Sequence, residues 1–429
     1  INSPDSHFPC VLRHLIGLAW DDGRCRSHLQ RAPAVLSSFV ETFVDFSVAD
    51  LFLPPLPQNP NPSANPPSRN NFSNAFSPPP LRPQTRHPAP ERMIVVGDVH
   101  GDLGKLKEAL RLADLVDACD RWIGGATTVV QIGDVLDRGG QELKILYFLE
   151  KLKREAWKVG GRVLTMNGNH EIMNVEGDFR YVTESGLDEF KAWGDWFCIG
   201  NSMKRLCKGL PKPRDPFAGI PPSFENVKGQ YFSGFRARIA ALRPDGPIAS
   251  RFLCQNMTVL VVGESILVHG GVLPQHVGYG LERINKEVRG WMKGRKGGRL
   301  SPSSVRGRDS VVWSRRFSHE AAMKCDCSTL EHVLSTIPGA RRMIMGHTIQ
   351  ENGINGVCEN KAIRIDVGMS EGCVNGLPEV LEVSRDSEIR VLTSNPLYMK
   401  EEAAASLQAG RKDGLGLLLP VPRPVQVES

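Results

Sequence analysis

Apolar residues in this chain alternate between two spacings. From Met93 to Val96 they run together and stop at Gly97-Asp98, the pattern of a short buried strand. Leu103, Leu106, Leu110 and Ala113 then recur at helical spacing. Thr127 to Ile132 predicts a second strand, ending at Gly133-Asp134, and Leu143, Leu146, Leu149, Leu152 and Ala156 mark a second helix. A third strand, Arg162 to Met166, ends at Gly168-Asn169-His170. Strand, helix, strand, helix, strand predicts an α/β fold with a parallel sheet and right-handed crossovers. Further on, Thr258 to Val262 and Ser265 to Val268 predict a hairpin running into His269-Gly270-Gly271, and Arg342 to Met345 a strand running into Gly346-His347. Ala362 to Val367 and Pro378 to Val383 read as a second, antiparallel layer.

The flanks break this pattern. Leu53 to Pro90 is dense in Pro, Ser and Asn, and its only charges are Arg69, Arg82 and Arg86. Such a stretch buries too little apolar surface to offset chain entropy, so residues 1–90 are expected to be disordered. The lack of acid, with Ser and Arg present, suits either an organellar transit peptide or a plain linker. The chain opens on Ile1 rather than Met, which predicts a natural start elsewhere. Residues 91–395 form the expected domain, and the pattern fades into a tail at 396–429. Between Ile172 and Asn256 lies an expected insertion carrying Phe179, Tyr181, Trp193, Trp196, Phe197, Tyr231 and Phe232, interrupted by Pro and Gly. It reads as a helical, aromatic cap near the site, or as packing alone.

Composition narrows the classes. With 41% hydrophobic and 23% charged residues, the 429-residue chain is of ordinary globular make-up. A net charge of +6 over this length is mild, permitting acidic substrates without the basic footprint of a nucleic-acid binder. No apolar run is long enough to span a bilayer. The ten cysteines form no C-x-x-C pair, so they are expected to be mostly free thiols in a reducing compartment, with Cys358 and Cys373 the candidate redox pair. The basic loop Lys293 to Arg299, with Arg306 and Arg308, reads as solvated rather than as a docking site for phosphorylated partners. His170-Glu171 and His319-Glu320 lack the second His of a zinc-protease helix, and no phosphate-cradling G-x-x-x-x-G-K-[ST] loop occurs.

Five short motifs carry the chemistry: Gly97-Asp98-Val99-His100-Gly101, Gly133-Asp134 to Asp137-Arg138-Gly139, Gly168-Asn169-His170-Glu171, His269-Gly270-Gly271 and Gly346-His347-Thr348. Each follows a predicted strand, and open α/β folds bind ligands beyond the carboxyl ends of strands. One rim therefore gathers Asp98, His100, Asp134, Asn169, His269 and His347. Carboxylate and imidazole without thiolate suit Mn, Fe or Zn. Asp134 is the natural bridge between two cations, which clamp an in-line displacement at phosphorus when about 3.5–4 Å apart. His170 is placed to protonate a leaving oxygen, with Asp137 to orient it. Arg138 offers a planar fork to phosphate, and Asn169 lies beside it. A second cation comes from Arg315 or Arg316. Any one motif alone is weak; five in this order point to a phosphoesterase.

These motifs resemble the calcineurin-like metallophosphatase superfamily, in its phosphoprotein phosphatase branch, across about Glu91 to Asn395. More narrowly, Asn174 to Tyr181, Val311 to Arg315 and Arg364 to Ser370 resemble the Shewanella-like protein phosphatases of plants and bacteria, nearest the plant chloroplast type. The resemblance implies an αββα sandwich of two central sheets flanked by helices. It implies one metal on Asp98, His100 and Asp134 and another on Asp134, Asn169, His269 and His347, with manganese the expected ion. It implies His170 as general acid paired with Asp137, and Arg138 on phosphate. The activity implied is hydrolysis of phosphoserine and phosphothreonine in protein substrates by a metal-bridging hydroxide, and the location implied is the chloroplast, with the cytoplasm as alternative. Where the main eukaryotic branch carries Ser-Ala-Pro-Asn-Tyr-Cys, this chain reads Asp366 to Cys373, which implies weak sensitivity to the toxins that bind that loop.

Two competing functions stand beside this one. A small-phosphoester or dinucleotide polyphosphate hydrolase shares many of the motifs. A non-catalytic binding protein with the same fold would show a lost ligand, and none is missing.

Overall fold

The computed structural model describes residues 83–206, 214–295, 300–395 and 421–428. Their strands are β1 (Arg86–His87), β2 (Arg92–Val96), β3 (Thr128–Gln131), β4 (Arg162–Thr165), β5 (Val259–Val262), β6 (Ser265–Val268), β7 (Arg342–Met345), β8 (Asn355–Val357), β9 (Ala362–Arg364), β10 (Glu379–Ser384), β11 (Ile389–Thr393), β12 (Val421–Pro424) and β13 (Gln426–Val427). Their α-helices are α1 (Leu103–Leu112), α2 (Glu142–Lys158), α3 (Asn169–Glu176), α4 (Glu184–Leu206), α5 (Phe232–Leu242), α6 (Pro247–Arg251), α7 (Pro274–Tyr279), α8 (Leu281–Met292) and α9 (Cys327–Thr336).

Strands β2, β3 and β4 pair in parallel, Ile94 opposite Val129 and Val129 opposite Val163. Helices α1 and α2 supply the crossovers. Helix α1 starts where the Asp102 side chain accepts from Lys105 N, capping an otherwise orphaned donor. Because β2 is covered on both faces, its last four residues are all buried, which is why the sequence shows a run there rather than an alternation.

The six-stranded sheet has the order β12-β11-β10-β2-β3-β4, and the seven-stranded sheet β1-β5-β6-β7-β9-β8-β13. Ile94 and Val130 from the first share one continuous apolar core with Leu267 and Ile344 from the second. The sandwich of two sheets flanked by helices is the expected architecture. Among the described residues no helix is long and apolar enough to cross a membrane.

Four expectations change. Ala362 to Val367 and Pro378 to Val383 do not form a common layer: β9 pairs with β7 in one sheet, whereas β10 pairs antiparallel with β2 in the other. Regular structure begins before Glu91, since β1 pairs in parallel with β5. At the other end β12 pairs with β11 and β13 with β8, so residues 421–428 cross the edges of both sheets. The buried ion pair Arg423–Glu379 (2.8 Å) and the Arg364–Glu428 pair (2.5 Å) fasten them. Finally, Cys358 is joined to Cys327 and not to Cys373, because the start of α9 lies beside the turn between β8 and β9, whereas Cys373 sits on the loop against Arg138. The segment up to residue 82, expected to be a transit peptide or linker, and tail residues 396–420 lie outside the described residues.

The insertion is helical, as its pattern suggests. Helices α4 and α5 pack closely enough that a Cβ on Gly234 would overlap the Leu187 carbonyl oxygen. Phe190 and Trp193 are buried against this pair.

Candidate active site

The loops after β2, β3, β4, β6 and β7 end on one rim, and their backbones are unusual there. His100, Asp134, Asp137, Arg138 and His347 all have positive φ, between 45° and 69°. Asp and His tolerate this region better than most side chains, yet several such residues together store strain that the surrounding packing must hold. Glu171 does much of that holding. Its buried carboxylate accepts from Asp134 N (2.8 Å), Val135 N (2.8 Å), Leu136 N (3.1 Å) and Gly168 N (2.7 Å). The Asp134 loop and the start of α3 are thus stapled to one another. They approach so closely that a Cβ on Gly168 would overlap Asp134 Oδ1.

Asp134 is the hub. Its Oδ2 lies 3.1 Å from His269 Nε2, 3.7 Å from His100 Nε2 and 3.8 Å from His170 Nε2, and its Oδ1 accepts from His170 N at 3.0 Å. Donor atoms of His100, Asp134 and His170 lie within 4.8 Å of one another, as do those of Asp134, His269 and His347. Asn169 Oδ1 is 2.9 Å from His269 Nε2. Asp98 Oδ2 accepts from His347 N at 3.1 Å, and Asp98 Oδ1 is 3.9 Å from His269 Nδ1. All six expected donors therefore meet in one buried place. Asp98 leans toward the two late histidines, and His170 takes the place beside His100 and Asp134.

The electrostatics sort the imidazoles. Burial lowers His100 to about 4, and burial with the neighbouring His269 and Arg315 holds His347 well below its ordinary value. Both rings thus keep a free lone pair at neutral pH. His100 Nδ1–H donates to Leu136 O at 3.0 Å, which turns the Nε2 lone pair toward Asp134. His170 goes the other way. Burial opposes its protonation, but the carboxylates of Asp134 and Asp137 raise it above the ordinary value. Burial would push Asp134 up as well; the facing His269 and His170 instead hold its carboxyl well below the usual range.

This donor set fits a pair of divalent cations. Buried His269 Nδ1 and His347 Nε2 have no hydrogen-bond partner among the described residues, a costly state unless something else binds them. Burial, Asp366 and Asp134 raise Asp98 well above its ordinary value, a penalty that a bound cation would relieve.

Around the cluster stand the groups expected to handle phosphate. His170 Nδ1 is 2.7 Å from Asp137 Oδ2. The Arg138 guanidinium lies 5.0 Å from the Tyr181 ring centroid, and its Nε is buried with no partner among the described residues. Of the two competing arginines, Arg315 donates to Thr348 Oγ1 at 3.1 Å, beside His347. Arg316 turns outward onto Asp309 at 3.0 Å. Sequence reasoning missed the role of Glu171 as a staple. Its position at the third residue of α3, after Gly-Asn-His, was the available clue.

Known proteins bear on this arrangement. A family model described as calcineurin-like phosphoesterase matches residues 91–350. Shewanella-like protein phosphatase 2 of Arabidopsis thaliana is 61% identical over 407 residues, covering 95% of this chain and 98% of that protein. Shewanella-like protein phosphatase 1 of Plasmodium berghei (strain Anka) is 30% identical over 288 residues, covering 65% and 67%. The crystal structure of the cold-active protein-tyrosine phosphatase of a psychrophilic Shewanella species superposes with a TM-score of 0.50 at 20% identity, over 72% of this chain and 80% of that one, a likeness of fold alone.

Proposed function

This chain belongs to the calcineurin-like phosphoesterase family, and on that premise we propose that it is a metal-dependent phosphatase acting on phosphoserine and phosphothreonine in proteins. The observation that carries the reading is the gathering of Asp98, His100, Asp134, Asn169, His269 and His347 in one buried place, with His170 Nδ1 2.7 Å from Asp137 Oδ2 beside them. Asp98, His100 and Asp134 would hold one cation, and Asp134, Asn169, His269 and His347 the other. Such a pair lowers the pKa of water from about 15.7 to about 7 and offsets the charge of the phosphoryl group. Oxygen and imidazole donors fit manganese, with iron or zinc the other ions the set accepts.

The chain's own residues do the rest. Arg138, with an unpaired Nε, offers a fork to the phosphoryl oxygens. Asn169 lines the same spot, and Arg315 closes it from the Thr348 side. His170 gives the proton at Nε2 to the departing serine or threonine oxygen, while Asp137 Oδ2 holds its Nδ1–H. The Arabidopsis relative, similar over nearly the whole chain and named a protein phosphatase, supports a protein substrate over a small phosphoester.

Purified full-length chain should release phosphate from p-nitrophenyl phosphate and from phosphoserine peptides when Mn²⁺ is supplied, and His170→Asn should lose about 10²–10⁴-fold in kcat. Turnover of diadenosine tetraphosphate without turnover of phosphopeptides would replace this reading with that of a small-molecule hydrolase.

A further inference from the structure

The insertion reaches the active site from behind. Arg238, on α5, has no exposed surface. Its Nη2 donates to Asp137 Oδ1 at 2.8 Å, its Nε donates to Asn174 Oδ1 at 2.8 Å, and its Nη1 lies 2.7 Å from Glu142 Oε2. The rings of Phe190 and Phe179 cover the guanidinium, with centroids 4.6 Å and 5.6 Å away. Asp137 therefore divides its two oxygens: Oδ2 faces His170 Nδ1 and Oδ1 takes Arg238. Asn174 closes a second route, since its Nδ2 donates to His170 O at 2.9 Å.

A buried guanidinium needs a carboxylate, because an unpaired charge there costs several kcal/mol. Glu142 faces only Nη1, and burial pushes its carboxyl up to about 7. The rest of the fork is spread over Asp137 and Asn174, both of which touch His170. We propose that Arg238 is a positioning residue for the reaction: it fixes the Asp137 carboxylate so that His170 Nε2 stays aimed at the leaving oxygen. The inference rests on the phosphatase reading above. Without Arg238 the Asp137 carboxylate is free to rotate, and the ring it holds is free to swing. A displacement of about 1 Å in a reacting group is enough to cost about 10²-fold.

The experiment uses the full chain with Mn²⁺ and a series of substrates whose leaving groups worsen from p-nitrophenyl phosphate to phenyl phosphate to a phosphoserine peptide. For Arg238→Met, kcat is expected to fall about tenfold on p-nitrophenyl phosphate and about 100-fold on phenyl phosphate, because a poor leaving group depends more on the proton. KM and bound metal should stay near wild type, and Arg238→Lys should fall between the two. In an Asp137→Asn background, Arg238→Met should add less than about twofold, since both act through one imidazole. Glu142→Gln, which removes only the other arm, should keep the wild-type dependence on leaving group. Equal losses across the series, or losses that multiply with Asp137→Asn, would overturn the assignment. If Arg238→Met does not accumulate as folded protein, Arg238→Lys is judged by the same criteria. A wild-type chain with no turnover would sink the phosphatase reading and this inference with it; turnover with a flat Arg238 series would sink this inference alone.

Discussion

The rim of strand ends and the helical insertion serve the same histidine from opposite sides, and they are built differently. The rim uses short loops in which His100, Asp134 and His347 have left-handed backbones, and Asp98, Asn169 and His269 meet them in the same place. The insertion uses helix packing. Glu189 of α4 accepts from Leu143 N (2.8 Å) and Lys144 N (3.0 Å), capping α2, and Arg238 of α5 reaches Asp137. One region supplies donors; the other holds the acid behind them. Damage to the rim should therefore abolish chemistry with little loss of fold, and damage to the insertion should weaken the fold and misplace one proton donor while leaving the metal donors intact.

The largest effect should come from the hub. Asp134→Asn removes the charge shared by both expected cations, and turnover should drop by at least about 10³-fold with bound metal reduced to one equivalent or less. Metal analysis beside p-nitrophenyl phosphate kinetics checks this. Next, Asp137→Asn should cost about 10²–10⁴-fold in kcat while metal content stays at the wild-type level, because Asp137 faces the imidazole and not the cluster. A matching loss of metal would erase the distinction between donors and acid.

Within the insertion, Phe190→Ala opens a cavity under Arg238. It should destabilise the chain by about 3–5 kcal/mol by denaturant unfolding while leaving bound metal unchanged below the transition. The smallest effect concerns pH. Burial pushes Glu189 up to about 8 from 4.5, against the two N–H donors that favour its ionised form. A raised folded value means its contribution is complete below about 4.5 and is lost as pH rises through about 8. The melting temperature of wild type should therefore fall more steeply between pH 5 and 9 than that of Glu189→Gln. Equal slopes would remove Glu189 from the account.

The same contrast explains what could be read from the sequence. Every rim donor lies within a few residues of a strand end, and Gly-Asp, Gly-Asn-His and His-Gly-Gly announce themselves locally. Arg238 lies 101 residues from Asp137, inside a helix whose residues carry no motif, and only the packing of α4 against α5 brings the two together. Partner choice among strands was equally hidden. Leu381 pairs with Val95, far back in the chain, and nothing in the residues of β10 says which edge it will join. Residues 421–428 read as tail because the apolar pattern fades at 396–429, yet β12 occupies a sheet edge, where proline is tolerated. Cys327 and Cys358, separated by 31 residues, are adjacent only once α9 and the β8–β9 turn are placed.

The central claim is that six side chains gathered around Asp134 hold two cations at one phosphate-binding rim. Calorimetric titration of metal-stripped full-length chain with Mn²⁺, followed by phosphoserine-peptide hydrolysis on the same sample, tests it most directly. The expected result is two equivalents bound per chain and turnover that rises only as the second site fills. Undiminished turnover by the metal-free chain, or saturation at a single equivalent with full activity, would contradict it.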